Sequence, residues 1–317
     1  MADAFAVVGA LLVASQVLSL LGVLYKTLLR PGKDLRRYGE WAVVTGATDG
    51  IGKAFAFELA RKGSNVLLLS RSAEKLAATK AEIEAKYPAV AVKTHPVDFS
   101  SFGAKQARDL QPLIDGLAVG VLVNNVGVSY EFAQWFHELS DAEVEKIVAL
   151  NVESTTWMTR LVLPGMLKRK SGVVVNMSSA AARAPLPLLA QYSASKGYIE
   201  NFTRSLDAEY RAKGVSFQCQ SPLWVATAMT FPGSKLPVEK RATLTTPTAQ
   251  TYARYACARI GYEVMASPYW VHEVYVWLQE RLPDALKIWL IFNIHKKVRF
   301  HKKNLAKIEE KLKSKDQ

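Results

Sequence analysis

Two cysteines in 317 residues, Cys219 and Cys257, are too few for a disulfide framework and leave no thiolate cluster for a cysteine-based zinc site. Low-complexity tracts and fixed-period repeats are also missing. Charge of either sign is absent from Ala4 to Tyr25, a run of 22 residues. What is present is a chain half hydrophobic and 22% charged, able to bury the core of one large α/β domain or two small ones. Acidic residues are outnumbered, and the formal net charge of +13 raises nucleic acid as a partner. The placement of that charge argues otherwise. Lys26 to Arg37 carries five basic residues and one Asp, a net of +4, and His295 to Gln317 carries nine basic residues and three acids, a net of +6. These two short stretches hold +10 of the excess and flank a nearly neutral middle. Basic flanks on a neutral domain fit a membrane surface rather than a nucleic-acid groove.

The uncharged run, at about 1.5 Å per residue, makes a helix of roughly 33 Å, enough to cross a hydrocarbon core of about 30 Å. A secretory signal would have a basic start and a shorter apolar core. Here the amino end carries only Asp3, and the basic cluster follows the apolar run. The positive-inside rule then predicts a lumenal amino terminus and a cytosolic main domain. Pro31-Gly32 ends the helix. The expected division is a membrane anchor and linker over 1–37, a main domain over 38–262, and a membrane-associated segment with a basic tail over 263–317.

From Trp41 onward the pattern is strand, turn, helix, repeated. Apolar runs at Trp41–Thr45, Val66–Ser70, Val119–Asn124, Gly172–Asn176 and Val215–Cys219, with another ending near Val97, alternate with helical stretches at Ala73–Lys86, Asp141–Lys168 and Gln191–Lys213. Continuous apolar strands separated by helices predict an α/β, Rossmann-type doubly wound parallel sheet, covered on both faces, that binds ligands beyond its strand carboxyl ends. Thr45-Gly46-Ala47-Thr48-Asp49-Gly50-Ile51-Gly52 falls between the first strand and first helix, where glycines permit a tight turn and a close approach of backbone to a pyrophosphate. An NAD enzyme usually carries an acid at the end of the second strand; this chain has Ser70-Arg71, and an arginine there suits the 2′-phosphate of NADPH. An arginine capping an exposed strand end is the alternative.

Tyr192 and Lys196 stand at i and i+4 near the start of a helix, so they share a face. A nearby ammonium is expected to lower the tyrosine pKa and make it a better acid–base group. Ser179 closes the fifth strand and Asn151 lies in the preceding helix. With these motifs in order, the chain resembles the short-chain dehydrogenase/reductase family from roughly Trp41 to Ile260. Thr45 to Gly52 matches the family's cofactor turn, Asn124-Asn125-Val126-Gly127 its N-N-A-G element with one change, and Asn151, Ser179, Tyr192 and Lys196 its catalytic tetrad. The resemblance implies cofactor contacts from Gly46, Thr48, Asp49, Gly50, Ile51, Gly52, Arg71, Asp98, Asn125, Tyr192, Lys196, Val225 and Thr227, with Asp98 on the adenine. One departure is Pro222-Leu223, where the family has Pro-Gly, in the loop expected over the nicotinamide. No metal is implied.

Pro222 to Met229, Pro268 to His272 and Leu68 to Ser72 also resemble segments of the very-long-chain 3-oxoacyl-CoA reductases of fatty-acid elongation. That resemblance implies a 3-oxoacyl-CoA substrate, NADPH, an endoplasmic-reticulum membrane, and a condensing enzyme, dehydratase and enoyl reductase as partners. Close relatives also make a membrane-bound 17-beta-hydroxysteroid or retinoid dehydrogenase the alternative, and an NADP-binding scaffold without activity the non-enzymatic one. Lys313-Ser-Lys315-Asp-Gln317 reads as a dilysine retrieval signal, which a lysine-rich tail also produces by chance. Tyr269 to Ile294, rich in aromatics but interrupted by charges, reads either as a membrane-associated lid or as an ordinary packed helix.

Overall fold

The computed structural model describes residues 2–231 and 235–300. The expected dilysine signal and most of the basic tail lie outside the described residues. The amino-terminal helix α1 (Ala2–Leu24) continues through a π turn at Tyr25–Leu29. The segment Phe5–Leu29 is long and apolar enough to cross a membrane, and no residue of its most apolar stretch is buried. The chain then turns back onto the domain. Arg30 pairs with Glu263 at 2.7 Å and lies over the Tyr262 ring, whose hydroxyl donates to the Pro31 carbonyl at 2.7 Å.

Thereafter the order is β1 (Trp41–Thr45), α2 (Gly50–Arg61), β2 (Asn65–Ser70), α3 (Ala73–Lys86), β3 (Val92–Pro96), α4 (Ala104–Asp115), β4 (Val119–Asn124), α5 (Asp141–Val148), α6 (Ser154–Arg169), β5 (Gly172–Met177), α7 (Ala190–Tyr210), β6 (Val215–Gln220), α8 (Ala249–Arg259), β7 (Met265–Ala266), α9 (Trp270–Gln279) and α10 (Asp284–Arg299). The strands form one parallel sheet in the order β3-β2-β1-β4-β5-β6-β7. The two-residue β7 was not expected, because it carries no apolar run.

The unbroken apolar strands have a simple cause. Ala42, Val44, Val66 and Leu68 point into a core shared with α2, α3 and α8, while Val43, Leu67 and Leu69 point into a second core with α4 and α6. A strand flanked by two cores has no wet face, so alternation disappears. The chain order reverses between β1 and β4, which opens a crevice at their carboxyl ends. A buried polar chain braces the sheet beside it. Asn124 donates to Thr159 at 3.0 Å and to Asn176 at 2.8 Å, and Asn176 donates to Thr203 at 2.9 Å.

Candidate active site

The crevice is a cleft of about 1060 Å³ that runs from the β1–α2 turn to α9 and α10. At one end, Gly46 (φ +65°) and Gly50 (φ +52°) adopt the left-handed conformation that glycine tolerates. Asp49 caps α2, accepting from Gly50 N at 2.7 Å, and Gly50 and Ile51 bring the amino-terminal turn of α2 to the cleft wall. Gly52 does not line the cleft; a Cβ there would come within 2.2 Å of the Gly46 carbonyl oxygen and 2.4 Å of Asn125 Nδ2. Its task is to let the helix lie against the turn. Asn125 fastens the same turn, donating through Nδ2 to the Thr45 carbonyl at 3.0 Å, while Thr45 Oγ1 accepts from Asn125 N at 2.9 Å.

Thr48, Ile51, Ser70, Arg71 and Asp98 continue the wall. Thr48 and Ser70 share a hydrogen bond of 2.8 Å. Arg71 is exposed at the rim and makes no ion pair with a carboxylate among the described residues, so its fork is free for an anion. Asp98 accepts from Ser100 N and Oγ, and those hydrogen bonds, with the nearby Arg71 charge, hold its carboxyl below the usual value. Val225, itself packed into the core, and Thr227, whose methyl faces Gly50, close the opposite side.

The tetrad comes together where α7 meets β5. Tyr192 and Ser179 both line the cleft, with the Ser179 hydroxyl near the phenol. Lys196, 5% exposed, lies with Nζ 5.9 Å from the Tyr192 ring centre and donates to the Met177 carbonyl at 3.0 Å. Burial lowers the Lys196 pKa to about 8. The expected lowering of Tyr192 is not what this arrangement gives: desolvation raises its pKa, and the nearby Ser179 hydroxyl opposes that only in part. The lysine aims at a backbone carbonyl rather than at the phenol.

Asn151 does not reach the cleft surface. It sits in a π turn (Ala149–Glu153) that splits the stretch expected as one helix, and its side chain is fully engaged. Oδ1 accepts from Val128 N at 2.7 Å, and Nδ2 donates to the Val128 carbonyl and to Ser195 Oγ, both at 2.9 Å. It therefore ties the loop after β4 to the residue preceding Lys196. Gly127 keeps this junction open, since a Cβ there would stand 3.1 Å from both Asn151 Oδ1 and Lys196 Nζ.

Tyr130 was not singled out from the sequence, and the segments holding His272 and the α9–α10 residues were noted there without a role for any one side chain. Tyr130 accepts the Gln191 amide at 2.9 Å and so supplies the cap that Leu189 cannot. His272 accepts from Leu223 N through Nδ1 at 3.3 Å and meets the Thr245 carbonyl through Nε2 at 3.1 Å, which anchors the loop in which leucine replaces glycine. Tyr275 and Gln279 of α9 and Ile291, Ile294 and His295 of α10 form the far end of the cleft. The Tyr269–Ile294 stretch is thus two helices broken near Pro283 rather than one segment.

The short chain dehydrogenase sequence pattern matches residues 40–235. The chain belongs to the short chain dehydrogenase family. As a member it is an oxidoreductase that takes a nicotinamide cofactor. It is 43% identical to a very-long-chain 3-oxoacyl-CoA reductase-like protein of Arabidopsis thaliana over 82% of each chain. It is 42% identical to the very-long-chain 3-oxoacyl-CoA reductase of Anas platyrhynchos, over 82% of this chain and 81% of that one. It is also 39% identical to the inactive hydroxysteroid dehydrogenase-like protein 1 of Homo sapiens, over 80% and 76% of the two chains. Among solved structures, a 7beta-hydroxysteroid dehydrogenase superposes with a TM-score of 0.68 at 24% identity over 82% of this chain and 99% of that one, a likeness of fold. A metagenomic short-chain oxidoreductase in complex with NADP superposes with a TM-score of 0.52 at 32% identity, covering 58% and 82%.

Proposed function

We propose that this short chain dehydrogenase is an NADPH-dependent very-long-chain 3-oxoacyl-CoA reductase. The observation that carries the reading is the continuity of one cleft from the phosphate turn, past the Ser179–Tyr192–Lys196 group, to a far end walled by α9 and α10, where Ile291 and Ile294 stand among Tyr275, Gln279 and His295. Such a cleft has room for a dinucleotide at one end and an acyl chain at the other. The names of the reductase relatives point the same way, and the intact tetrad favours activity over a silent scaffold.

The residues present fit the cofactor. The left-handed Gly46 and Gly50, the amides opening α2 and the unpaired Arg71 make a cradle for a pyrophosphate and a 2′-phosphate. When bound, NADPH supplies hydride to the substrate carbonyl carbon. Tyr192, with its pKa raised by burial, holds the proton that the carbonyl oxygen takes. Ser179 is placed to donate to that oxygen as charge develops on it. Lys196 is charged below about pH 8 and is assigned to the nicotinamide ribose. Asn151 acts by holding the Val128 loop against Ser195. Asp98 is assigned to the adenine.

The remaining assignments follow from the same reading: an anchor over 1–37, a catalytic domain over 38–262 and a membrane-associated segment over 263–317, in the endoplasmic-reticulum membrane with the active site cytosolic. The basic residues after Tyr25 support that orientation. Elongation also requires a condensing enzyme, a dehydratase and an enoyl reductase as neighbours. The test is turnover by the purified full chain in lipid nanodiscs. NADPH oxidation with a long-chain 3-oxoacyl-CoA, and none with a 17-ketosteroid or a retinal, is expected; the reverse preference overturns the assignment, and no turnover with any of them favours a scaffold.

A further inference from the structure

The face of the hairpin α9–α10 that turns away from the cleft is apolar and exposed. On α10, Leu286, Trp289 and Leu290 recur at helical spacing on one outward stripe, Trp289 being 62% exposed, while Ile291 and His295 line the cleft. At the cleft, Trp224 and Met229 of the loop after β6 are exposed as well, and so is Leu278 of α9. A patch this large and aromatic requires a partner.

The position of α1 identifies that partner. α9 lies between α1 and the cleft: Tyr275 and Gln279 face the cleft, while Trp277 Nε1 donates to Ser19 Oγ at 2.9 Å and Arg281 Nε donates to Gln16 Oε1 at 2.6 Å. Ser19 and Gln16 precede Lys26 by seven and ten residues, which along a helix is about 10 and about 15 Å. With Lys26 at the membrane surface, the contacts of Trp277 and Arg281 fall within the hydrocarbon. Arg281 is equipped for that depth. Its guanidinium stacks 3.6 Å from the Trp277 ring, and its remaining nitrogens reach the Trp277 carbonyl and Ser19 Oγ. The other charges at the hairpin tip are also paired: Glu280 with Arg183 at 3.4 Å, and Asp284 with Lys287 at 2.6 Å. Polar residues inside a span face protein partners, as Gln16 and Ser19 do here.

We propose that the α9–α10 hairpin is seated in the cytosolic leaflet beside α1, so that the cleft opens sideways into the bilayer and the acyl chain enters from lipid. The inference rests on α1 being a membrane span. The bilayer itself is the occupant of the apolar face, continuous with the lipid around α1. Charge complementarity supports this, since Lys296 and Lys297 end α10 and can meet anionic headgroups.

The test uses the full chain in nanodiscs, spin-labelled singly at Leu290→Cys, at Leu12→Cys of α1, and at Lys105→Cys, an exposed control on α4. Contact with oxygen and with a water-soluble nickel chelate reads out lipid and water. Oxygen-rich, nickel-poor signals at Leu12 and Leu290, opposite to Lys105, are expected. Lipid at Leu12 with water at Leu290 overturns the proposal and leaves the span intact; water at both overturns the span and the proposal with it. A kinetic arm addresses the route. Trp289→Glu with Leu290→Glu should raise KM for an 18-carbon 3-oxoacyl-CoA by about tenfold and leave a four-carbon one unchanged. An equal change for both chain lengths rejects lateral access, and the labels decide the seating even where the double variant does not fold.

Discussion

His272 makes the stability of the loop over the active site depend on acid in a way that can be worked out in advance. The ring is 1% exposed, and desolvation lowers its pKa from 6.5 to about 4. With Nδ1 accepting from Leu223 N, the proton of the neutral ring is on Nε2, facing the Thr245 carbonyl. A second proton would set an N–H against the Leu223 N–H. The unfolded chain takes up that proton below about 6.5 and the folded chain does not until about 4. The contribution therefore favours the folded state fully above 6.5 and is lost as pH falls. The gap between the two pKa values corresponds to about 3 kcal/mol, most of it gone by pH 4.5. Burial also raises the carboxyl pKa of Glu200 and Glu273, so the comparison is with His272→Asn, which keeps an acceptor near Leu223 N and cannot titrate. The apparent Tm in detergent is followed from pH 7.5 to 4.5. Wild type should lose about 2–3 kcal/mol relative to the variant, roughly 4–12 °C at about 2–4 °C per kcal/mol. A wild-type minus variant difference that stays constant across the range refutes the reasoning.

Gly52→Ala should weaken NADPH binding by at least tenfold in a fluorescence titration, since the new methyl meets backbone and Asn125 at 2.2 and 2.4 Å and neither can withdraw at small cost; unaltered affinity would show that the turn can shift. Arg71→Asp should cost NADPH about 2–3 kcal/mol of binding and leave NADH nearly untouched, and wild-type enzyme that uses the two cofactors equally would remove Arg71 from the 2′-phosphate. Tyr192→Phe should abolish turnover with cofactor affinity and Tm retained, because only a hydroxyl is deleted; near-normal rates would point to another proton donor. The rate should fall as pH rises through about 8, where Lys196 loses its charge, and a flat profile from pH 7 to 9.5 would exclude that role.

Much of this was readable in the chain. β1 and β4 run over the residues expected, and so does α3, because buried strands and an Ala/Glu/Lys-rich helix state their type locally. Every expected cofactor residue except Gly52 lines the cleft, and Gly52 acts from behind it. The failures share a cause. The π turn around Asn151 leaves the apolar periodicity of its helix almost unchanged, so one continuous helix was the natural reading. The link between Leu223 and His272 joins residues 49 apart, and only the folded sheet makes them neighbours. The hairpin α9–α10 has the composition of a lid or of a core helix alike; its faces are decided by what α1 and the cleft present to it.

The electrostatics of Tyr192 and Lys196 also bear on which of the two carries a proton at neutral pH. An i, i+4 spacing suffices to place Lys196 beside Tyr192, but not to aim its ammonium at the phenol, and here the Met177 carbonyl receives it. The same burial acts oppositely on the two groups, raising the phenol and lowering the lysine, because each is penalised in its charged form. At neutral pH the tyrosine consequently keeps its proton, and a proton on Tyr192 is what a carbonyl oxygen needs when hydride arrives at its carbon. Oxidation of the alcohol would need the phenolate instead, the form that this site disfavours. The pocket therefore presents a protonated Tyr192 at neutral pH, with the Ser179 hydroxyl beside it on the wall of the cleft where a carbonyl oxygen would receive that proton.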